Sequence, residues 1–337
     1  MRSRRFAFGI LGAALIAGCT GSFTYNHLDW LIPWFVDGYV DLTREQRKVL
    51  EGQLEPLLQW HRAEELVEYI AILDRIERQT ARPVTAATVE GWIDEITSAV
   101  ERTEQVMLSL ALDFGATMSD DQMAEFIANL WQRQREYEKE FLGRSETQYR
   151  RESYENLVDF LQRFVGRLDR NQKERLRAAV DGLSRFDEAW LDERALWLRT
   201  LEPLLQREPG WAKAVQAAYS ARKTTRTPKY KAYLAHNLDV INHAVADILN
   251  QLDARQRKRL ANELEDRRRR LRKLADKPQQ ARAPAPAGSV TRCLANQVVV
   301  KANGLQVGID RDMLVDAMDV LDGSSIRRNR QEPIHVG

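Results

Sequence analysis

The chain has 337 residues, 44 % hydrophobic and 30 % charged, with two cysteines and a formal charge of +2. This composition excludes a disordered, collagen-like or disulfide-built chain, so the fold must rest on an apolar core. The near-neutral balance gives nucleic acid no electrostatic footing.

Residues 1–18 read as a signal peptide. Arg2, Arg4 and Arg5 form a positive start, and an apolar stretch from Phe6 to Ala17 follows. A membrane-spanning helix needs about 20 apolar residues, and this stretch is shorter. Ile16-Ala17-Gly18-Cys19 has the form of a bacterial lipobox, which makes Cys19 the expected acylation site and first mature residue. Thr20 after the cysteine points to the outer membrane under lipoprotein sorting rules. Loss of the three arginines leaves 48 basic against 49 acidic residues. With Cys19 lipidated, Cys293 has no intrachain partner even in an oxidising periplasm.

From Leu28 to about Ala275 the pattern is helical throughout. Leu50, Leu54, Leu57 and Leu58, then Leu66, Ile70, Leu73 and Ile76, recur at three- and four-residue spacing. Tyr230, Leu234, Leu238, Ile241, Val245 and Ile248 repeat it. The expected fold is all-α, an elongated bundle of roughly 8–10 helices.

Four similar frames open helices: "LTREQ" from Leu42, "MSDDQ" from Met118, "LDRNQ" from Leu168 and "LDARQ" from Leu252. Ser, Thr or Asp at the N-cap accepts a backbone N–H that the first turn leaves unpaired, and a Gln three residues on can bond back to the cap's own N–H. Thr43/Gln46 and Ser119/Gln122 fit this capping box, and Asp169/Gln172 and Asp253/Gln256 are Asp-capped versions. Thr227-Pro228 and Pro83-Val84-Thr85 mark two further starts, the latter with Thr88 where a Gln is expected. The cap spacing suggests two similar halves, duplicates of a unit of roughly 130 residues.

After Ala275 the composition changes. Residues 277–288 form a Pro/Ala linker, and 289–337, which lack Phe, Tyr and Trp, read as a weakly ordered tail outside the helical domain of 19–276. Within that tail Asn303-Gly304 fits a hairpin turn, and 310–321 one amphipathic helix.

No phosphate-binding glycine loop, Gly-x-Ser-x-Gly, His-Glu-x-x-His or Cys-x-x-Cys is present. No catalytic residue, cofactor or metal site is therefore assigned. His236, Asp239 and His243 share one helix face, but that face lacks an obvious further ligand. The run Arg267 to Arg270 sits at the end of the last helix, where positive charge complements the dipole; phosphate or lipid head groups are the other use for it. Tyr25, Trp30, Trp34, Phe35 and Tyr39 crowd near Cys19 and fit either core or a membrane interface.

The segments "YNHLDWLIPWFVDGYVDLTREQ", "LLQWHRAEELVEY", "RFVGRLDRNQKERL" and "FDEAWLDER" resemble an uncharacterised family of proteobacterial lipoproteins, over residues 19–276. That resemblance implies a lipid-anchored helical domain and no established activity. The helix-start frames also resemble the Leu-Thr-x-x-Gln motifs of the periplasmic chaperones Spy and CpxP. Leu42-Thr43-x-x-Gln46 matches fully, and the other three match at first and last positions. This second likeness implies a helical cradle that binds envelope proteins without catalysis. The expected function is thus a membrane-attached, non-enzymatic module binding envelope polypeptides as chaperone or adaptor. A structural lipoprotein with one partner, or an envelope hydrolase, are the alternatives.

Overall fold

The structure, a computed structural model, describes residues 25–276. The signal peptide, Cys19, the linker, Cys293 and the tail lie outside the described residues.

Every described element is helical. The order is α1 (Leu28–Val36), α2 (Arg44–Trp60), a π-helical turn (His61–Glu65), α3 (Leu66–Thr80), α4 (Ala86–Gly115), α5 (Asp120–Leu142) and α6 (Glu146–Val165). Then follow α7 (Arg170–Gly182), α8 (Asp187–Leu204), α9 (Trp211–Thr225), α10 (Pro228–Asn250) and α11 (Ala254–Ala275). Because α2, the π-turn and α3 run on without a break, the described chain forms ten rods. The all-α expectation holds.

The apolar periodicity becomes one main core. Leu50, Leu54 and Leu57 of α2 meet Tyr69 and Ile72 of α3, and the same cluster takes in Leu157 and Leu161 of α6 and Leu176 and Val180 of α7. Ile241 and Ile248 of α10 and Leu260, Leu264 and Leu271 of α11 complete it. Helix α11 lies along α3, and α10 along α4, so the last two helices close over the first rods. Helices α5, α8 and α9 flank this body with smaller clusters, such as Phe141 with Phe186, Trp190 and Tyr230.

Two asparagines of α10 fasten distant loops. Asn250 accepts from Val84 N–H and donates to Val84 C=O, both at 2.8 Å. Asn237 does the same at Ser184, at 2.8 and 2.9 Å. A single amide thus satisfies a backbone donor and acceptor that the turns leave open.

Of the aromatic segment near the N-terminus, Tyr25, Phe35 and Tyr39 are buried and Trp34 is half-buried. Gly166, which ends α6, has φ +77°, and an added Cβ would stand 2.9 Å from Arg259 Cδ. Gly166→Ala should therefore cost about 1–3 kcal/mol, read from urea unfolding.

Candidate functional site

The four helix starts are built as two matched pairs. Thr43 Oγ1 accepts from Gln46 N–H at 3.1 Å, and Gln46 Oε1 accepts from Thr43 N–H at 3.0 Å. Ser119/Gln122, Asp169/Gln172 and Asp253/Gln256 close the same reciprocal box. The residue before each cap packs inward: Leu42, Leu168 and Leu252 are buried, and Met118 packs partly buried on the core.

The glutamines then bond to one another. Gln46 and Gln122, 76 residues apart, exchange two amide hydrogen bonds, each 2.9 Å. Gln172 and Gln256, 84 residues apart, do the same at 3.0 and 2.9 Å. The spare Nε2 hydrogen reaches across to the carbonyl two residues before the opposite cap. Gln122 donates to Asp41 at 2.7 Å, Gln46 to Thr117 at 3.1 Å and Gln256 to Arg167 at 3.0 Å. Gln46, Gln122 and Gln256 each use both donors and both acceptor positions of the amide. This explains the residue type. A Glu lacks the donors, and two facing carboxylates repel; an Asn lacks the reach back to its own cap. Each clasp joins the starts of two helices far apart in sequence.

Two other starts mark the limits of the rule. Thr88 completes a box with Thr85 through its hydroxyl, with Thr85 N–H donating at 3.4 Å, but it has no amide to clasp with. Ser145 caps α6 through Gln148 N–H, a start not anticipated from the sequence, while the Gln148 amide turns to Glu152 at 2.8 Å.

The two clasps differ in burial and charge. Gln172 and Gln256 are buried, whereas Gln46 and Gln122 are half-buried. Beside the second clasp lies an open recess of about 480 Å³ lined by Arg167, Arg170, Lys173, Arg177 and Arg255. Asp169 and Asp253 also line it, but each is engaged as a cap on the N–H of its Gln partner. The same positions around the first clasp hold Asp41, Arg44, Arg47, Glu51 and Asp121.

A second polar centre sits in the core at the π-turn, and nothing in the sequence pattern singled it out. His61 is fully enclosed; Tyr25 Oη lies 2.8 Å from its Nδ1 and Tyr69 Oη 3.3 Å from its Nε2. Thr103 donates to Ala99 C=O at 3.3 Å, so it must accept from Tyr69, at 3.3 Å. Tyr69 must then accept from His61 Nε2–H, which leaves Nδ1 to accept from Tyr25. The chain of donors places the proton of the neutral imidazole on Nε2. Burial, and secondarily the charge of Arg62, lower the His61 pKa to about 3. Burial likewise pushes the Tyr69 hydroxyl up to about 12. Glu65, also buried, is held by Arg102 through two bonds of 2.8 and 3.1 Å. His61 and Glu65, the first and last residues of the π-turn, are both buried.

The remaining sequence candidates resolve locally. His236 Nε2 bonds Gly182 C=O at 2.9 Å, and His243 Nδ1 bonds Asp239 C=O at 2.8 Å, both on the exposed face of α10. No group of three His, Cys, Asp or Glu placed to hold a metal occurs among the described residues. The arginine run is not a uniformly solvated helix end. Arg267 and Arg268 are buried: Arg267 stacks 4.4 Å from the Phe164 ring centroid, and Arg268 bridges Asp74, Glu77 and Glu265. These two arginines bind α11 to α6 and α3. No described helix is long and apolar enough to cross a membrane.

Fold and site define an all-α domain whose paired glutamine clasps join distant helix starts. The chain belongs to a family of unknown function (DUF6279), whose model matches residues 38–231. No curated protein and no solved structure matches it. The matched stretch ends just inside α10, so Asp253 and Gln256, the second half of the buried clasp, lie beyond it.

Proposed function

We propose that this chain is a lipid-anchored, non-catalytic adaptor of the cell envelope. Cys19 carries the lipid that holds it to the outer membrane, and the helical body faces the periplasm and binds envelope polypeptides. The anchor rests on the lipobox sequence. The adaptor reading rests on one structural observation: the amphipathic helices spend their apolar faces on each other. Among the described residues, the large apolar side chains that stay exposed, Val49, Val67, Val106, Leu142 and Leu196, lie on five different helices. A holding chaperone needs a contiguous apolar surface for its clients. The helix-start motifs, which suggested that chaperone role, are occupied in the clasps.

Crosslinking in intact cells tests the proposal, with wild type compared to Cys19→Ala. The expected result is one or a few defined envelope partners, captured by a membrane-associated, lipid-modified wild type and lost or reduced when Cys19→Ala releases the chain. A wild type that fractionates as soluble and shows no lipid in its mass removes the anchor. Suppression of model-protein aggregation at near-stoichiometric ratios would replace the adaptor reading with the chaperone one.

A further inference from the structure

We propose that the recess beside the buried clasp binds an anion of the phosphate-ester class, of the size of a glycerophosphate head group. The clasp itself does not need this charge. Its work is done by the glutamine amides, the caps and the Arg167 backbone carbonyl, and the first clasp makes the same reciprocal amide bonds with Asp41, Glu51 and Asp121 where the second has Arg167, Arg177 and Arg255. Five cations have therefore gathered at one end of the bundle without a structural requirement for them.

Their partners do not account for them either. Arg170 reaches Glu174 at 2.8 Å in an exposed pair, and Arg177 lies 5.0 Å from the Tyr154 ring centroid. For Arg167, Lys173 and Arg255, no carboxylate lies within ion-pair distance among the described residues. The two aspartates in the wall are fixed as caps, so they offset only part of the charge. A concave surface in which five cations outweigh two aspartates concentrates anions, and the planar guanidinium donors of Arg167, Arg170, Arg177 and Arg255 match phosphate oxygens. The volume, about 480 Å³, falls in the range of small-molecule sites and exceeds what a bare phosphate fills. Ordered walls support the site: Leu168 and Gln256 in its floor are buried. The inference does not depend on the anchor or on a polypeptide partner.

The test uses the full chain carrying Cys19→Ala, so that no attached lipid confounds it. Inorganic phosphate and glycerol 3-phosphate are titrated by calorimetry, and vesicles of phosphatidylglycerol are compared with vesicles of phosphatidylcholine by flotation. Glycerol 3-phosphate is expected to bind more tightly than inorganic phosphate. Arg167→Gln/Lys173→Gln/Arg255→Gln should weaken binding by about tenfold or more, and its unchanged helical content and melting temperature would show that the clasp persists. Arg44→Gln/Arg47→Gln at the first clasp should leave binding unchanged. Flotation with phosphatidylglycerol alone, lost in the triple variant, identifies a lipid head group as the source; binding of the soluble esters without flotation identifies a free metabolite. No binding in any arm, or binding that the triple variant retains, overturns the proposal.

Discussion

Gln172→Ala should destabilise the folded chain by about 2–3 kcal/mol, and Gln46→Ala by only about 1 kcal/mol. The two side chains occupy the same place in equivalent clasps, so the difference comes from water. Gln172 is fully buried. Its removal leaves the Gln256 amide with one bond fewer at each end and takes the acceptor from Asp169 N–H, with little room for solvent to replace them. Gln46 is half-buried, and water can take over part of its role. Gln148→Ala is the control, because its amide touches only Glu152; its cost should stay below about 0.5 kcal/mol. Urea unfolding of the three variants gives the ranking. Equal costs at Gln46 and Gln172 would show that the clasps are not energetically distinct.

The second large effect is a loss of stability in mild acid. In the folded chain His61 stays neutral down to about pH 3, because burial, and secondarily the charge of Arg62, disfavour the imidazolium. In the unfolded chain it titrates near its ordinary value, about 6.5. Between those values the unfolded state binds the extra proton, so stability rises with pH through this window and is fully present above it. On lowering the pH below about 6.5, the slope from His61 approaches about 1.4 kcal/mol per pH unit. The interval from pH 6.5 to 5 lies above the ordinary carboxylate range and isolates the histidine contribution. Unfolding free energy measured at half-unit steps should fall across it, and the imidazole nitrogen shifts should report one Nε2-protonated form throughout. A flat profile together with a titrating His61 resonance would contradict the buried, neutral imidazole.

Much of the fold was legible because helices write their pattern locally. The three- and four-residue spacing of Leu50, Leu54 and Leu57 and the Ser, Thr and Asp caps depend on neighbours a few residues away. What the caps do beyond their own helix was not legible. Gln46 looks the same in sequence whether its amide meets Gln122 or, as at Gln148, a glutamate one turn along. One signal was available: the residue before the cap is apolar in all four clasped frames but is Arg144 before Ser145. The inward leucine or methionine turns the cap toward the core, where another cap can meet it. The His61 centre was hidden for a different reason. A lone histidine in an amphipathic helix does not announce its partners, and Tyr25 and Tyr69, which hold His61 here, lie 36 and 8 residues away. The arginine run was read only for its place at a helix end, which says nothing of burial. Arg267 and Arg268 stay buried by stacking on Phe164 and by pairing with Asp74 and Glu77, which are remote in sequence.

The central claim is that the helix-start glutamines act as two independent clasps, and a double-mutant cycle measures this directly. Gln172→Ala and Gln256→Ala should couple by about 1–2 kcal/mol, because the second substitution removes a group that the first has already left unpaired. Gln46→Ala with Gln122→Ala should couple more weakly and in the same sense. Gln46→Ala with Gln172→Ala, one from each clasp, should be additive within about 0.5 kcal/mol. Additive energies within each clasp, or coupling of equal size between the two, would contradict the pairing.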